Sequence, residues 1–199
     1  MKLLIATGNA HKLGEIRAML VWPGVTLVGM KEYGRPLPEV DEDAETFEGN
    51  ALKKARTLCA ATGLWTLADD SGLEVAALGG APGVRSARYA GEGKGDAANN
   101  ARLLRELDGV EDRRARFRCV LALAAPDGRT WTVEGRCEGR IAHEASGTGG
   151  FGYDPLFHPD GGTQSFAAIP AEEKNRISHR ARALAAAAQA WQPILAGVD

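Results

Sequence analysis

Cysteine is scarce in this chain: only Cys59, Cys119 and Cys137 occur among 199 residues. Their odd number and wide spacing fit neither a secreted disulfide framework nor a metal-ligand motif, so three reduced thiols are expected. An excess of positive charge is also lacking, because 24 Lys and Arg stand against 26 Asp and Glu, a net charge of −2. That balance excludes a nucleic-acid footprint spread over the whole surface, yet a small anionic ligand needs only a few local cations. Long apolar runs are missing as well. The run Leu3–Ala6 is too short for a signal peptide, and Ala183 to Ala190 is interrupted by Gln189, so no membrane span is expected. The cytoplasm is the expected compartment, with neither a membrane nor a nucleic acid as partner.

What is present is an ordinary globular balance, 44% hydrophobic and 25% charged, in a length that suits one domain over residues 1–199. Leu3 to Thr7 reads as a buried strand that breaks at Gly8-Asn9, followed by a helix with Leu13, Ile16 and Leu20 on one face. Thr26 to Met30 reads as a second strand. An acid-bearing connection with Glu39, Asp41, Glu42 and Asp43 precedes a long helix from about Ala44 to Gly63, where the glycine is a stop signal. Trp65 to Asp70 reads as a strand running into a turn at Ser71-Gly72, and Asp96 as the cap of a helix carrying Leu103, Leu104 and Leu107. Residues 115–123 alternate, and Asp127-Gly128 turns them into a second strand from Trp131 to Ile141. A terminal helix places Ile177, Ala181, Leu184, Ala188, Trp191 and Leu195 in one stripe. The pattern is α/β with a mixed sheet.

Five stretches carry chemistry. Thr7-Gly8-Asn9-Ala10-His11-Lys12 joins a strand to a helix start, which suits a phosphate beside Lys12 or an ordinary corner capped by Asn9. In the long helix, Lys54 lies about 20° from the direction of Phe47 while Lys53 lies about 120° away. Lys54 therefore shares the inward face and needs an anionic partner, either a carboxylate or a phosphate. Asp69-Asp70-Ser71-Gly72 places two acids on opposite faces of a strand end, so one points into a cleft; the pair suits either Mg²⁺, which takes oxygen ligands, or a turn in which Asp70 hydrogen-bonds backbone two residues on. Gly147 to Asp154 interleaves glycines with Phe151 and Tyr153, whose rings can stack on a base. Lys174 to Arg180 clusters hydrogen-bond donors around a helix start. Two other features are set aside: Gly91 to Gly95 lacks a strand leading into it, and Arg114, Arg116 and Arg118 read as a solvated face or subunit contact.

In order, the chain contains Thr7-Gly8-Asn9-x-x-Lys12-x-x-Glu15, then Thr46-Phe47-x-x-Asn50-Ala51-x-x-Lys54-Ala55, then Asp69-Asp70-Ser71-Gly72-Leu73. Gly79-Gly80-Ala81-Pro82-Gly83 with Ser86-Ala87-Arg88-Tyr89, the segment Gly147 to Phe157, and Lys174-x-x-x-Ser178-His179-Arg180 follow. Together they resemble the inosine/xanthosine triphosphate pyrophosphatase family of house-cleaning nucleotide hydrolases. The resemblance implies an elongated mixed-sheet α/β fold with flanking helices, an active-site cleft between two lobes, and a homodimer. It implies hydrolysis of ITP, dITP and XTP to the monophosphate and pyrophosphate with Mg²⁺. By motif position, Asp70 is implied as general base and Mg²⁺ ligand, with Glu42 as second acid and Asp69 in support of the turn or the metal's outer shell. Thr7, Gly8, Asn9, Lys12 and Lys54 would hold the triphosphate, with Ser71 also at the substrate. Phe151, Gly152, Tyr153, Asp154, Lys174, His179 and Arg180 would hold the base and sugar, and donors such as His179 and Arg180 would favour a 6-oxo purine.

Overall fold

The computed structural model describes residues 1–197. Its strands are β1 (Lys2–Ala6), β2 (Thr26–Gly29), β3 (Trp65–Val75), β4 (Arg114–Ala124), β5 (Thr130–Ile141) and β6 (Phe157–Pro159). Its helices are α1 (Ala10–Met19), α2 (Phe47–Thr62), α3 (Gly95–Glu106), α4 (Ala171–Ile177) and α5 (His179–Ala196). The six strands are ordered β2-β1-β3-β4-β5-β6. β1 runs parallel to both neighbours, with Leu3 opposite Leu27 and Trp65, whereas β5 and β6 are antiparallel. The mixed α/β sheet expected from the sequence is therefore present. Leu3, Leu4, Ile5 and Ala6 are all buried, as a parallel strand covered on both faces requires.

The chain divides into two compact units. The first comprises Met1–Asp70, Cys119–Gly135 and the chain from Arg180 onward. Its core packs Leu3, Ile5, Ile16, Trp65, Leu67, Leu121 and Trp191 together, and the rings of Trp65 and Trp131 stack 5.8 Å apart. The second comprises Ser71–Arg118 and Arg136–His179. Its core joins Leu73, Leu103, Phe117, Tyr153, Phe157 and Phe166, with Phe117 and Phe157 4.7 Å apart.

Local sequence explains most of the element ends. Asn9 caps α1 through its side chain, Thr46 caps α2 by accepting from Gly49 N, and Gly63 ends α2 with φ +69°. α2 thus begins three residues later than the sequence suggests, because Thr46 captures the cap position. α3 begins at Gly95 without a side-chain cap, and Asp96 lies inside its first turn. Leu103 and Leu107 are nevertheless buried as expected.

Two expectations are corrected. The turn at Ser71-Gly72 does not form, and β3 continues to Val75. Gly72 is needed for close approach: a Cβ there would lie 2.4 Å from Ser86 Oγ and 2.6 Å from Gly83 O. The single terminal helix is instead two, broken at Ser178, which has ψ 160° and donates its N–H to Lys174 O. Ile177 consequently packs against the second unit's core, while Ala183, Leu184, Ala187, Trp191 and Leu195 form the α5 stripe in the first. Gly72→Ala should lower stability by about 1–3 kcal/mol through overpacking, read as a reduced urea midpoint at unchanged m-value.

Candidate active site

β3 carries the centre of the site. Asp69 is 1% exposed, and its Oδ1 lies 2.5 Å from Lys12 Nζ. Its Oδ2 lies 2.9 Å from Arg180 Nε and accepts from Cys119 Sγ at 3.1 Å. Arg180 also pairs with Glu15, three residues beyond Lys12 on α1. Burial by itself pushes the Asp69 carboxyl up, but Arg180 and Lys12 together hold it well below the usual carboxylate range. The same environment raises the Cys119 thiol, by burial and then by the neighbouring Asp69 charge. All three cysteines are buried free thiols, as expected. Asp69 is thus the hub of an internal ion cluster; no turn exists there for it to order.

Strand alternation sends Asp70 the other way. It is 5% exposed, and burial, opposed by Lys12 and reinforced by Glu42, pushes its carboxyl up to about 6. Lys54 and a hydrogen bond from the Asn50 side chain act in the opposite sense. Lys54 has the carboxylate partner that its inward direction demanded: its Nζ lies 2.5 Å from Glu42 Oε1 and donates to Asp69 O at 3.2 Å. Lys53 pairs at the surface with Asp43. Among the acids of the connection, Glu42 is therefore the one placed beside Lys54 and Asp70. Asn50, quoted in the α2 motif without a role, is 1% exposed and accepts from Ala44 N at 2.9 Å. Its position four residues before Lys54, on the same helix face, was a usable signal. Glu15 and Cys119 meet Arg180 and Asp69 only through the fold.

The corner before α1 takes the capping arrangement. Asn9 Oδ1 accepts from His11 N at 2.9 Å and Lys12 N at 3.2 Å, and Thr7 Oγ1 accepts from Asn9 N. Asn9 thus satisfies two of the helix-start amides. Gly8 has open space about its Cα. Ser71 follows Asp70 on β3 and belongs to the second unit.

In the second unit, Lys174 is 4% exposed and lies 2.6 Å from Asp154 Oδ2. The same oxygen accepts from Phe151 N at 2.9 Å, and Lys174 Nζ sits 4.8 Å from the Phe151 ring centre. Gly150, at φ +68°, has no room for a side chain because a Cβ would reach Asp154 Oδ2 at 2.0 Å. His179 is buried and stacks on Phe117 at 4.6 Å, a neighbour with no sequence signal. Two members of this group have partners other than the base that the resemblance implies. Tyr153 is buried in the apolar core with its hydroxyl donating to Ser86 O at 2.8 Å. Arg180, 1% exposed, directs its Nε and Nη1 to carboxylates of the first unit. The arginines of the β4 stripe are paired with carboxylates, Arg116 and Arg118 sharing Glu74 and Arg114 on Asp112.

The two adjacent acids should respond oppositely to removal of charge, as urea denaturation of chelator-treated protein across pH will show. Asp69→Asn removes the buried charge that Arg180 and half-buried Lys12 share and should cost about 3–5 kcal/mol. With its folded pKa depressed, Asp69 contributes fully above the unfolded value, so the deficit should shrink only as pH falls below about 4. Asp70→Asn removes an ion that burial disfavours, so it should stabilise by about 1–3 kcal/mol above pH 6 and reach parity near pH 4.

Comparison with known proteins places this geometry. Residues 3–190 match the Ham1 family. The dITP/XTP pyrophosphatase of Desulforamulus reducens is 54% identical over 186 residues, covering 92% of each chain. The structure of the Staphylococcus aureus Ham1 protein superposes with TM-score 0.86 at 39% identity, covering 99% of both chains. A HAM1 protein from Coxiella burnetii gives TM-score 0.87 at 37% identity over the full length of both. With the match spanning nearly the whole chain, and the acids of β3 and lysines of α1 and α2 assembled as described, this protein belongs to the Ham1 family.

Proposed function

We propose that the chain hydrolyses the non-standard purine nucleoside triphosphates ITP, dITP and XTP to the monophosphate and pyrophosphate, with Mg²⁺ as cofactor. The observation that carries this reading is Asp70: a buried carboxylate pushed up to about 6, beside Glu42 and Lys54. A general base works best with a pKa near the operating pH, and Asp70 meets that condition. Relatives at about this degree of identity carry the name dITP/XTP pyrophosphatase.

The donor set fits the proposed metal. Asp70 and Glu42 are two carboxylates close enough for the charge of one to raise the pKa of the other, and Mg²⁺ is commonly held by one or two carboxylates with waters and substrate phosphate. When bound there, Mg²⁺ would neutralise phosphate charge and acidify a coordinated water. Asp70 would orient the attacking water and accept its proton as the oxygen bonds to the α-phosphorus. The bond from the α-phosphorus to the bridging oxygen breaks, and Lys12 and Lys54 stabilise the charge gathering on pyrophosphate.

For the base, the Phe151 ring is the stacking surface, while Lys174 and His179 are donors toward a 6-oxo group. Adenine presents an amino donor at that place, which donors such as these cannot pair with. Arg180 serves in this reading by holding Asp69. The homodimer and the cytoplasmic setting implied by the resemblance belong to the same proposal. No helix among the described residues is long and apolar enough to cross a membrane, and the arginines of the β4 stripe are engaged by Glu74 and Asp112 rather than presented as a free basic track.

A triphosphate panel scored by pyrophosphate release tests the reading: ITP, dITP and XTP should far exceed ATP, and equal turnover of ATP and ITP overturns it. Asp70→Asn should lower kcat by about 10²–10⁴-fold while the fold persists by circular dichroism. Lys54→Ala should impair turnover, whereas Lys53→Ala, on the exposed face, should leave it unchanged.

A further inference from the structure

The glycine-rich loop is held from outside by α3. Asp96 and Asn100 lie four residues apart on α3, so both project from one face on consecutive turns. Asp96 Oδ2 accepts from Gly152 N at 2.7 Å, and Asn100 Nδ2 donates to Gly152 O at 2.9 Å. One residue is thus gripped at both of its backbone groups. Gly152 has φ +62°, in the region where glycine is at home, and open space where a Cβ would stand. Nothing about its own chemistry fixes its dihedrals, so the two hydrogen bonds do.

The position matters because of its neighbours. Phe151 N donates to Asp154 on one side, and the Tyr153 hydroxyl donates to Ser86 O on the other. A rotation at Gly152 would swing the Phe151 ring away from Lys174 while Tyr153 stays in the core. The helix is itself anchored: Asn99 is 2% exposed, accepts from Ala90 N at 2.7 Å and donates to Ala87 O at 3.1 Å. Leu103 and Leu107 sit in the core below. α3 is therefore a fixed support, and its exposed first turn reaches the loop through Asp96.

We propose that Asp96 and Asn100 are positioning residues that lock the turn Phe151–Asp154 in the conformation that recognises the purine base. This inference rests on the proposed function. Neither residue would touch substrate; each acts through Gly152. Asp96 is exposed, so its bond contributes little to global stability and its effect falls on the loop.

The test uses the full chain with Asp96→Ala, Asn100→Asp and the conservative Asp96→Asn, which keeps an oxygen acceptor for Gly152 N. In hydrogen exchange, amides of residues 147–153 should lose protection in Asp96→Ala and Asn100→Asp and regain it in Asp96→Asn. In kinetics, the first two should raise KM for ITP by about 5-fold with kcat nearly unchanged, and lower the ITP-over-ATP ratio of kcat/KM similarly. Asp96→Asn should restore both. Unchanged loop protection in Asp96→Ala overturns the clasp, and lost protection with unaltered KM and selectivity overturns its role in base recognition. A wild-type ITP-over-ATP ratio near one instead defeats the proposed function, and the selectivity assigned to the clasp fails with it.

Discussion

The first unit is organised around one buried anion. Asp69 is almost sealed from solvent, and its ionised form is held by Lys12, Arg180 and the Cys119 thiol, which converge on its two oxygens. Those partners come from α1, α5 and β4, so one carboxylate ties three elements to β3. An apolar residue at this position would remove the carboxylate that Lys12 and Arg180 share, and a neutral amide cannot satisfy both. The cluster therefore dictates where α1 ends up relative to the strand, and hence where Lys12 stands.

From that anchor the character of the next residue follows. Side chains alternate along a strand, so a well-compensated Asp69 forces Asp70 onto the opposite face, against α2 and the acid-bearing connection. There burial and Glu42 outweigh Lys12, Lys54 and Asn50. Two identical side chains in sequence acquire opposite proton affinities through the company each keeps. Pairs whose environments push them apart in this way are a general mark of sites that handle protons.

Much of this was legible in the residues because it depends on local periodicity. The helical angle separated Lys54 from Lys53, the caps Asn9 and Gly63 marked helix ends, and alternation divided Asp69 from Asp70. Misreadings arose where a residue type has more than one physical use. Gly72 looked like a turn and is instead a place where Ser86 and Gly83 come too close for any side chain. Ser178 breaks the terminal helix without proline or glycine, and that break allots Ile177 and Trp191 to different cores. Partners such as Phe117 for His179, or Glu15 for Arg180, lie far apart in sequence and could be supplied only by the fold.

The two cores also differ optically. All four tryptophans, Trp22, Trp65, Trp131 and Trp191, fall within the first unit, whereas the second holds none and contains two of the three tyrosines, Tyr89 and Tyr153. Indole emission therefore reports only on the half that carries the two acids, and the half bearing the glycine-rich loop is dark at those wavelengths. Whether the halves melt as one cooperative body can be read by comparing that emission with a global probe such as far-ultraviolet circular dichroism, since coincident transitions are the mark of two-state unfolding.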